Sequence, residues 1–140
     1  MESIRCKTGE FLIMPKKSKP IPYELIELEK YISYDDKTGS ITRAVDIPNN
    51  RIKKGDDACK IRISKTNNLP YKRVYLNKKE YSAHRLAWFL YYGVDPYSYG
   101  EDKVIDHINR NTLDNRIENL RIVTTKENNN NKGEYTKKHL

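Results

Sequence analysis

Two short stretches near the C-terminal end of the chain carry residue types from which a metal site can be built. Asp106 and His107 are adjacent at the end of a short apolar run, and adjacent side chains on a β-strand leave on opposite faces. One of them can then hold a metal ion while the other reaches a nucleophile. Thr124 and Glu127 match the S/T-x-x-E capping box, which predicts that Asn128 lies in the first turn of a helix. A β-β-α hairpin folded on itself would bring Asn128 over Asp106.

Several short motifs between Tyr81 and Lys132 occur in the order and spacing of a known family. The matching residues are Ala83-His84-Arg85-Leu86-Ala87-Trp88, Asp106-His107-Ile108-Asn109, Asn115, Asn119-Leu120-Arg121 and Lys126-Glu127-Asn128. This pattern resembles the HNH endonucleases, in particular the small phage and intron-encoded group. The resemblance implies a ββα-metal fold and hydrolysis of phosphodiester bonds in DNA.

The resemblance also implies roles for four residues. Asp106 and Asn128 would bind a divalent metal, and His107 would act as the general base that activates water. Asn119 would hydrogen-bond the loop backbone and fix His107. Because both proposed ligands are oxygen donors, Mg²⁺ or Mn²⁺ is favoured over Zn²⁺.

Three of these four residues also have a structural explanation. Asp106 can be a carboxylate that caps a loop, and His107 a buried histidine at a strand end. Asn128 can be simply the first residue of the asparagine run at 128–131. Asn115 is expected at most to brace the loop, and His84 is expected to be a structural histidine on a supporting helix.

Charge points to an anionic partner. The 140-residue chain has a formal charge of +8 and a pI near 9.4, which is typical of nucleic-acid-binding proteins; a generally basic protein is the alternative. Between positions 51 and 85, eleven Lys and Arg residues stand against three acids, so this segment holds the whole excess. A local basic surface of this kind fits a face that tracks phosphates.

Cysteine use and hydropathy restrict the remaining classes. Cys6 and Cys59 are far apart and neither belongs to a C-x-x-C pair, so neither a structural zinc site nor a disulfide framework is expected. The longest apolar run, Leu86 to Tyr92, is too short to span a bilayer. A cytoplasmic protein without a membrane partner is expected, in the bacterial host cell if a phage encodes it.

Two stretches of the basic segment predict a β-sheet with one DNA-binding face. Residues 59–64 and 71–76 alternate apolar and polar side chains. Ile61 and Ile63 are expected to face a core, with Lys60 and Arg62 on the other face. The candidate DNA contacts are Lys60, Arg62, Lys72, Arg73, Arg85 and Arg121. The alternative is the solvated outer face of an ordinary sheet.

Local patterns predict three further elements. Pro22 is expected at the first position of a short helix with an acidic solvated face. Alternating residues on both sides of the 35–39 turn predict a β-hairpin. Ser82 is expected to cap a helix that runs from Ala83 to about Tyr92 and ends at Gly93.

Together these patterns predict an α+β protein with N-terminal antiparallel β-sheet and hairpins, short helices, and a C-terminal ββα-metal module. The expected organisation is a helix and basic sheet over 1–80, the HNH module over 81–132, and a flexible basic tail over 133–140. Residues 1–20 are expected to be an arm with a candidate strand at Glu10–Met14.

The predicted function is a metal-dependent endonuclease of the homing, nicking or restriction type that acts on double-stranded DNA. The alternative is a non-catalytic, sequence-specific DNA-binding protein that retains the HNH-like fold, and an RNA-directed nuclease is a third possibility. The sequence leaves open whether the protein works as a homodimer.

Overall fold

The computed structural model describes residues 20–128, and within them the chain forms three antiparallel sheets that confirm the α+β class. The first sheet pairs β1 (Ile32–Tyr34) with β2 (Ile41–Arg43), and the second has the order β3 (Cys59–Ile63), β4 (Pro70–Leu76), β5 (Lys79–Ser82). The third pairs β6 (Lys103–His107) with β7 (Leu120–Thr124). The helices are α1 (Leu25–Leu28) and α2 (Ala83–Tyr92), with 3-10 turns at Pro96–Tyr99 and Ile117–Asn119. Residues 125–128, which follow β7, are also helical. The candidate strand at 10–14 and the predicted tail at 133–140 lie outside the described residues.

The predicted hairpin is confirmed as the pair β1–β2. Several local hydrogen bonds close its turn. Among them, the Asp35 carboxylate accepts from the Lys37 backbone N–H at 2.9 Å, and the Gly39 N–H donates to the Asp35 carbonyl at 2.8 Å. Gly39 has a φ of +81°, a conformation that glycine adopts without the cost of a Cβ. Gly39 itself is buried, and the turn depends on a glycine at this last position.

The expected environment of Ile61 and Ile63 is wrong. Their side chains are 55% and 61% exposed, whereas Val74 and Leu76 on the same face of the sheet are buried. Helix α2 packs against β4 and β5, and β3 continues beyond the part of the sheet that is covered. Alternation along a strand identifies residues that share a face, but it does not show whether anything covers that face.

Helix α1 is shorter than the pattern of apolar residues suggests. Pro22 precedes it, its N-cap is Glu24, and that cap makes no side-chain hydrogen bond. The N–H groups of Lys30 and Tyr31 donate to carbonyls three residues earlier, so the helix tightens and ends before β1 begins. The expectation that Pro22 is the first helical residue is therefore wrong.

Helix α2 has the bounds that the sequence predicts. Gly93 ends it with a φ of +75°, and its N–H donates to the Phe89 carbonyl at 2.8 Å. Ser82 occupies the N-cap position but makes no side-chain cap bond; its Oγ instead lies 3.4 Å from Nη1 of Arg73. Both ends of the helix lie where the sequence predicts, but only the C-terminal end makes the expected capping interaction.

One hydrophobic core joins the two segments that the sequence suggested. Its buried members run from Ile21 through Leu28, Ile32 and Ile41 to Leu86 on α2 and Leu120 on β7. The expected boundary between residues 80 and 81 falls inside β5, so the two segments share a sheet as well as a core. None of the helices between residues 20 and 128 is long and apolar enough to cross a membrane.

Candidate functional site

The β6–β7 hairpin places Asp106 directly across from Arg121. The Asp106 side chain is 8% exposed, and its Oδ2 accepts from Arg121 Nε at 2.9 Å and Nη2 at 2.8 Å. The proposed metal ligand is therefore a buried carboxylate in an ion pair. Arg121, a candidate DNA contact, lies at the proposed metal site, with its own side chain half exposed.

His107 lies at the end of β6 with only 5% of its surface exposed. Its Nε2 is 2.9 Å from Oδ1 of Asn115. An amide oxygen only accepts hydrogen bonds, so this contact requires the proton on Nε2 and leaves the lone pair on Nδ1. Burial lowers the pKa of His107, against the opposing effects of Asn115 and Asp106, which favours the neutral imidazole.

Asn115 is the residue whose importance the sequence did not reveal. It is 1% exposed, and its carbonyl accepts from the Tyr34 hydroxyl at 2.6 Å. Its Nδ2 is buried without a hydrogen-bond partner among the described residues. The family resemblance includes Asn115, but nothing in the sequence distinguishes a residue that holds the histidine from one that only braces the loop.

Asn119 braces the loop between β6 and β7 from inside. Its Oδ1 accepts from the Asn109 N–H at 2.9 Å, and its Nδ2 donates to the Asp114 carbonyl at 2.8 Å. Its own carbonyl accepts from the Ile108 N–H. The expected bonds to the loop backbone are therefore present, while the direct contact to His107 comes from Asn115.

The capping box after β7 is confirmed in both directions. The Thr124 N–H donates to Glu127 Oε1 at 2.8 Å, and the Glu127 N–H donates to Thr124 Oγ1 at 3.1 Å. Residues 125–128 are helical, so Asn128 lies in the first turn as predicted, and it is half-buried. The Thr125 N–H donates to the Asp102 carbonyl at 2.7 Å, which ties the helix start to the segment before β6.

The donor chemistry of these residues fits a hard cation. Within residues 20–128 no group of three or more His, Cys, Asp or Glu side chains is arranged to hold a metal. Asp106 and Asn128 supply carboxylate and amide oxygens. Mg²⁺ is commonly bound by one or two carboxylates and retains several waters, so a sparse set of oxygen ligands fits Mg²⁺ or Mn²⁺ better than Zn²⁺.

The candidate DNA contacts on the three-stranded sheet do not all lie on one face. Cross-strand pairing puts Lys60 opposite Arg73 and Arg62 opposite Tyr71, and directly paired residues share a face. Lys72 pairs with Ile61 and faces the other way. We call the side with Lys60, Arg62, Tyr71 and Arg73 the outer face.

Arg85, on α2, forms an ion pair with Asp95, the residue before the 3-10 turn at Pro96–Tyr99. Its Nε and Nη2 donate to the Asp95 carboxylate at 3.1 and 3.2 Å, and its side chain is 13% exposed. Asp95 also accepts from the Ile21 N–H at 2.8 Å. The Asp95 carboxylate therefore links Arg85 to the segment at Ile21. The contact of Arg85 with DNA stays a prediction.

Three rings lie together at the end of the outer face. The His84 and His107 rings are 5.1 Å apart between centroids, and the Tyr71 ring lies 6.1 Å from His84 and 6.4 Å from His107. Burial, with smaller effects from His107 and two arginines, lowers the pKa of His84 to about 3. His84 is therefore a neutral imidazole beside His107, a position that helix periodicity alone does not reveal.

Residues 81–130 match the sequence model of a family described as HNH endonuclease, which confirms the resemblance over those residues. No curated protein matches the chain significantly. A solved structure described as "DNA binding and cleavage by the HNH homing endonuclease I-HmuI" is similar, with a TM-score of 0.49 and 25% sequence identity. The match covers 76% of this chain and 53% of that one, so the chain spans about half the length of that structure.

Proposed function

We propose, from the match of residues 81–130 to the HNH endonuclease family, that the protein is a metal-dependent DNA endonuclease. The observation that carries the proposal is the setting of His107, buried beside Asp106 and held through Nε2 by Asn115. A histidine held in this way is prepared to take a proton from water at Nδ1.

The chain's own residues divide the work of phosphodiester hydrolysis. His107 accepts the proton of the attacking water as general base. Asn115 and Asn119 hold the imidazole and its loop in place. Arg121 lies beside Asp106, where its guanidinium can also approach a phosphate oxygen.

Asp106 and Asn128 would hold the divalent ion. When bound, such an ion neutralises charge on the phosphate and assists departure of the 3′ oxygen. Mg²⁺ or Mn²⁺ is proposed because both donors are oxygens. We propose no structural zinc.

The substrate is proposed to be double-stranded DNA that approaches along the outer face. Lys60, Arg62 and Arg73 lie on that face, on the sheet whose last strand leads directly into α2. Cations that neutralise phosphates supply most of the sequence-independent affinity for DNA.

Relaxation of supercoiled plasmid tests the proposal. We expect Mg²⁺ or Mn²⁺ to support nicking, EDTA to stop it, and His107→Ala and Asp106→Ala to abolish it. Asp102→Ala is the matched control, because this carboxylate is four residues from Asp106 but 69% exposed. Undiminished cleavage by both site variants would overturn the assignment, and linear product appearing with the nicked form would indicate paired active sites.

A second candidate is a sequence-specific DNA-binding protein without catalysis. The Asp106–Arg121 ion pair favours it, because Arg121 gives the buried carboxylate a partner without a metal ion. This protein would bind DNA equally well in EDTA and show no turnover with any divalent ion.

A further inference from the structure

The cleft between the outer face and the start of α2 shares Arg62 and Arg73 with the proposed DNA surface, but the proposed mechanism gives the cleft itself no ligand. Its volume is about 450 Å³, and its lining includes Arg62, Asn67, Tyr71, Arg73, Ser82 and His84. Sites for small ligands commonly enclose roughly 300–1,000 Å³. The cleft therefore has room for a group of the size of one nucleotide.

The position of Tyr71 connects this cleft to His107. Strand β5 ends at Ser82, opposite Arg73, so Tyr71 lies on β4 beyond the end of its neighbour. There its ring stands beside both imidazoles. The ring that such a group would contact therefore has its centroid 6.4 Å from that of the proposed general base.

The Tyr71 ring is held in a fixed orientation. Its hydroxyl accepts from Nδ2 of Asn67 at 2.9 Å, and Oδ1 of Asn67 accepts from the Leu69 N–H at 3.0 Å. Tyr71 is half-buried, so part of the ring is available to a ligand. An aromatic ring that is already ordered loses little conformational entropy when a flat partner stacks on it.

The charge at the rim of the cleft suits a phosphate. Glu80 lies 2.7 Å from Arg62 Nη2 and 3.9 Å from Arg73 Nε. Two guanidinium groups therefore lie beside one carboxylate and keep a net positive charge. The Glu80 carboxylate orients Arg62, and the Ser82 hydroxyl and the Glu80 carbonyl accept from Arg73. His84 adds a neutral polar wall rather than a further charge, because its pKa lies far below neutrality.

We infer that this cleft binds one nucleotide of the substrate strand next to the scissile phosphate, with the base against Tyr71 and a phosphate at Arg73. The inference rests on the proposed nuclease function and specifies which nucleotide of the DNA strand the cleft binds. A base inside a duplex is already stacked and paired, so the nucleotide must be unpaired when it occupies the cleft. The site therefore favours single-stranded or locally opened DNA over closed duplex.

Binding measured in EDTA tests the inference without cleavage. The probes are a short fluorescein-labelled single strand of mixed sequence and an abasic strand of equal length, which retains the phosphates but lacks the bases. Wild-type protein should bind the strand with bases at least about five-fold more tightly, the lower end of one base–aromatic stack. Tyr71→Ala should remove this preference, Tyr71→Phe should keep it, and Arg73→Gln should weaken binding to both strands.

Two matched controls separate the cleft from general charge attraction. Tyr75 lies on the same strand and the same face as Tyr71, but it is 52% exposed and pairs with Glu80, away from His84 and His107. The Tyr75→Ala variant should therefore bind as wild type. Lys72→Gln removes a charge next to Arg73 on the opposite face, and its loss of affinity should be smaller than that of Arg73→Gln. Circular dichroism checks the fold of each variant, and Tyr71→Leu replaces Tyr71→Ala if the latter is unfolded.

The outcomes for the two proposals are distinct. If wild-type protein nicks plasmid but Tyr71→Ala retains the full preference for bases, the inference is wrong and the nuclease assignment stands. Suppose instead that wild-type protein does not nick plasmid, but that it prefers the strand with bases and the Tyr71→Ala variant does not. The nuclease assignment is then wrong, and the cleft remains a nucleotide site. Equal losses of affinity for Arg73→Gln and Lys72→Gln would also overturn the inference.

Discussion

At the scale of single residues, the loop between β6 and β7 uses two asparagines for two tasks. Asn119 bonds the loop backbone at Asn109 and Asp114, and Asn115 bonds the His107 ring. An asparagine is suited to both tasks, because its side chain carries a donor and an acceptor. The conformation of the loop and the orientation of the base are thus set by different side chains.

Removal of the Asn115 side chain should impair the chemical step more than substrate binding. We expect Asn115→Ala to lower kcat about 10- to 100-fold, as for other residues that orient a ligand or base, with little change in KM. Asn115→Asp keeps an acceptor oxygen at Nε2 and should restore part of kcat. Nicking kinetics measure both constants, and Asn111→Ala, at an exposed asparagine of the same loop, is the control. A rise in KM with unchanged kcat would contradict the positioning role.

At the scale of elements, the β1–β2 hairpin supports the loop that holds His107. The Tyr34 hydroxyl bonds the Asn115 carbonyl, and the Ile117 N–H donates to the Asp36 carbonyl at 3.1 Å. A Cβ added at Gly39 would lie 2.7 Å from backbone atoms of Asn115 and Arg116. The turn and the loop therefore touch backbone to backbone, with no room for a side chain between them.

Gly39→Ala should destabilise the protein more than Gly55→Ala. Both glycines have positive φ values, +81° and +92°, but a Cβ at Gly55 would meet no atom within 4 Å. Gly55→Ala should cost about 1 kcal/mol from the backbone conformation alone, and Gly39→Ala about 1–3 kcal/mol more from overpacking. Urea denaturation measures both, and equal losses would show that the close approach at Gly39 contributes nothing.

The ion pair between Asp114 and Arg116, in the loop between β6 and β7, should make the stability of the protein depend on pH. Hydrogen bonds from Arg116 lower the pKa of Asp114 to about 2. A carboxyl group with a lowered folded-state pKa stabilises the fold above its unfolded pKa, near 3.9, and loses that effect as pH falls toward the folded value. After allowance for screening by water, Asp114→Asn should lose about 1 kcal/mol at neutral pH.

Urea midpoints measured between about pH 7 and pH 2 test this dependence. The difference between wild type and Asp114→Asn should shrink as the pH falls from about 4 toward 2. Glu101→Gln, at an exposed carboxylate outside the loop, should show no such change. A difference that stays constant over this range would contradict the role given to the ionised carboxyl group.

The sequence correctly predicted elements whose ends carry a glycine or a capping box. It failed where tertiary packing determines which residues are buried. Helix α2 ends at a glycine and the last helix begins with a capping box, and both were placed correctly. Ile61 and Ile63 were assigned to a core because their pattern alternates, but no element between residues 20 and 128 covers that part of β3. The ordered pair Asp106 and His107 was visible in the sequence. The contact from Asn115 depends on the path of a loop that no periodic pattern encodes.

At the scale of the whole molecule, the basic segment becomes a sheet with two different faces. Lys60, Arg62 and Arg73 lie on the outer face that ends at the three rings, whereas Lys72 lies with Ile61 on the other side. The charge excess of residues 51–85 is therefore distributed over both faces. Only part of it borders the cleft beside His107.

The salt dependence of DNA binding should report the outer-face charge. Each cation that neutralises a phosphate contributes about one unit to the slope of log K against log salt. We expect Lys60→Gln to reduce this slope by about one and Lys30→Gln, next to the exposed glutamates of α1, to leave it unchanged. Fluorescence anisotropy over a range of salt concentrations gives both slopes, and identical slopes for the two variants would place DNA elsewhere.

The fit of Gly39 against the loop has a consequence for the exchange of protein modules. The segment that matches the HNH family begins at residue 81, but Tyr34 and Gly39, which support Asn115, lie more than forty positions earlier. If residues 81–130 were moved into another host protein, His107 and Asn115 would be transferred without the β1–β2 hairpin that supports Asn115. Such a chimera would need a substitute for the β1–β2 turn, so the transferable unit is larger than the recognisable motif.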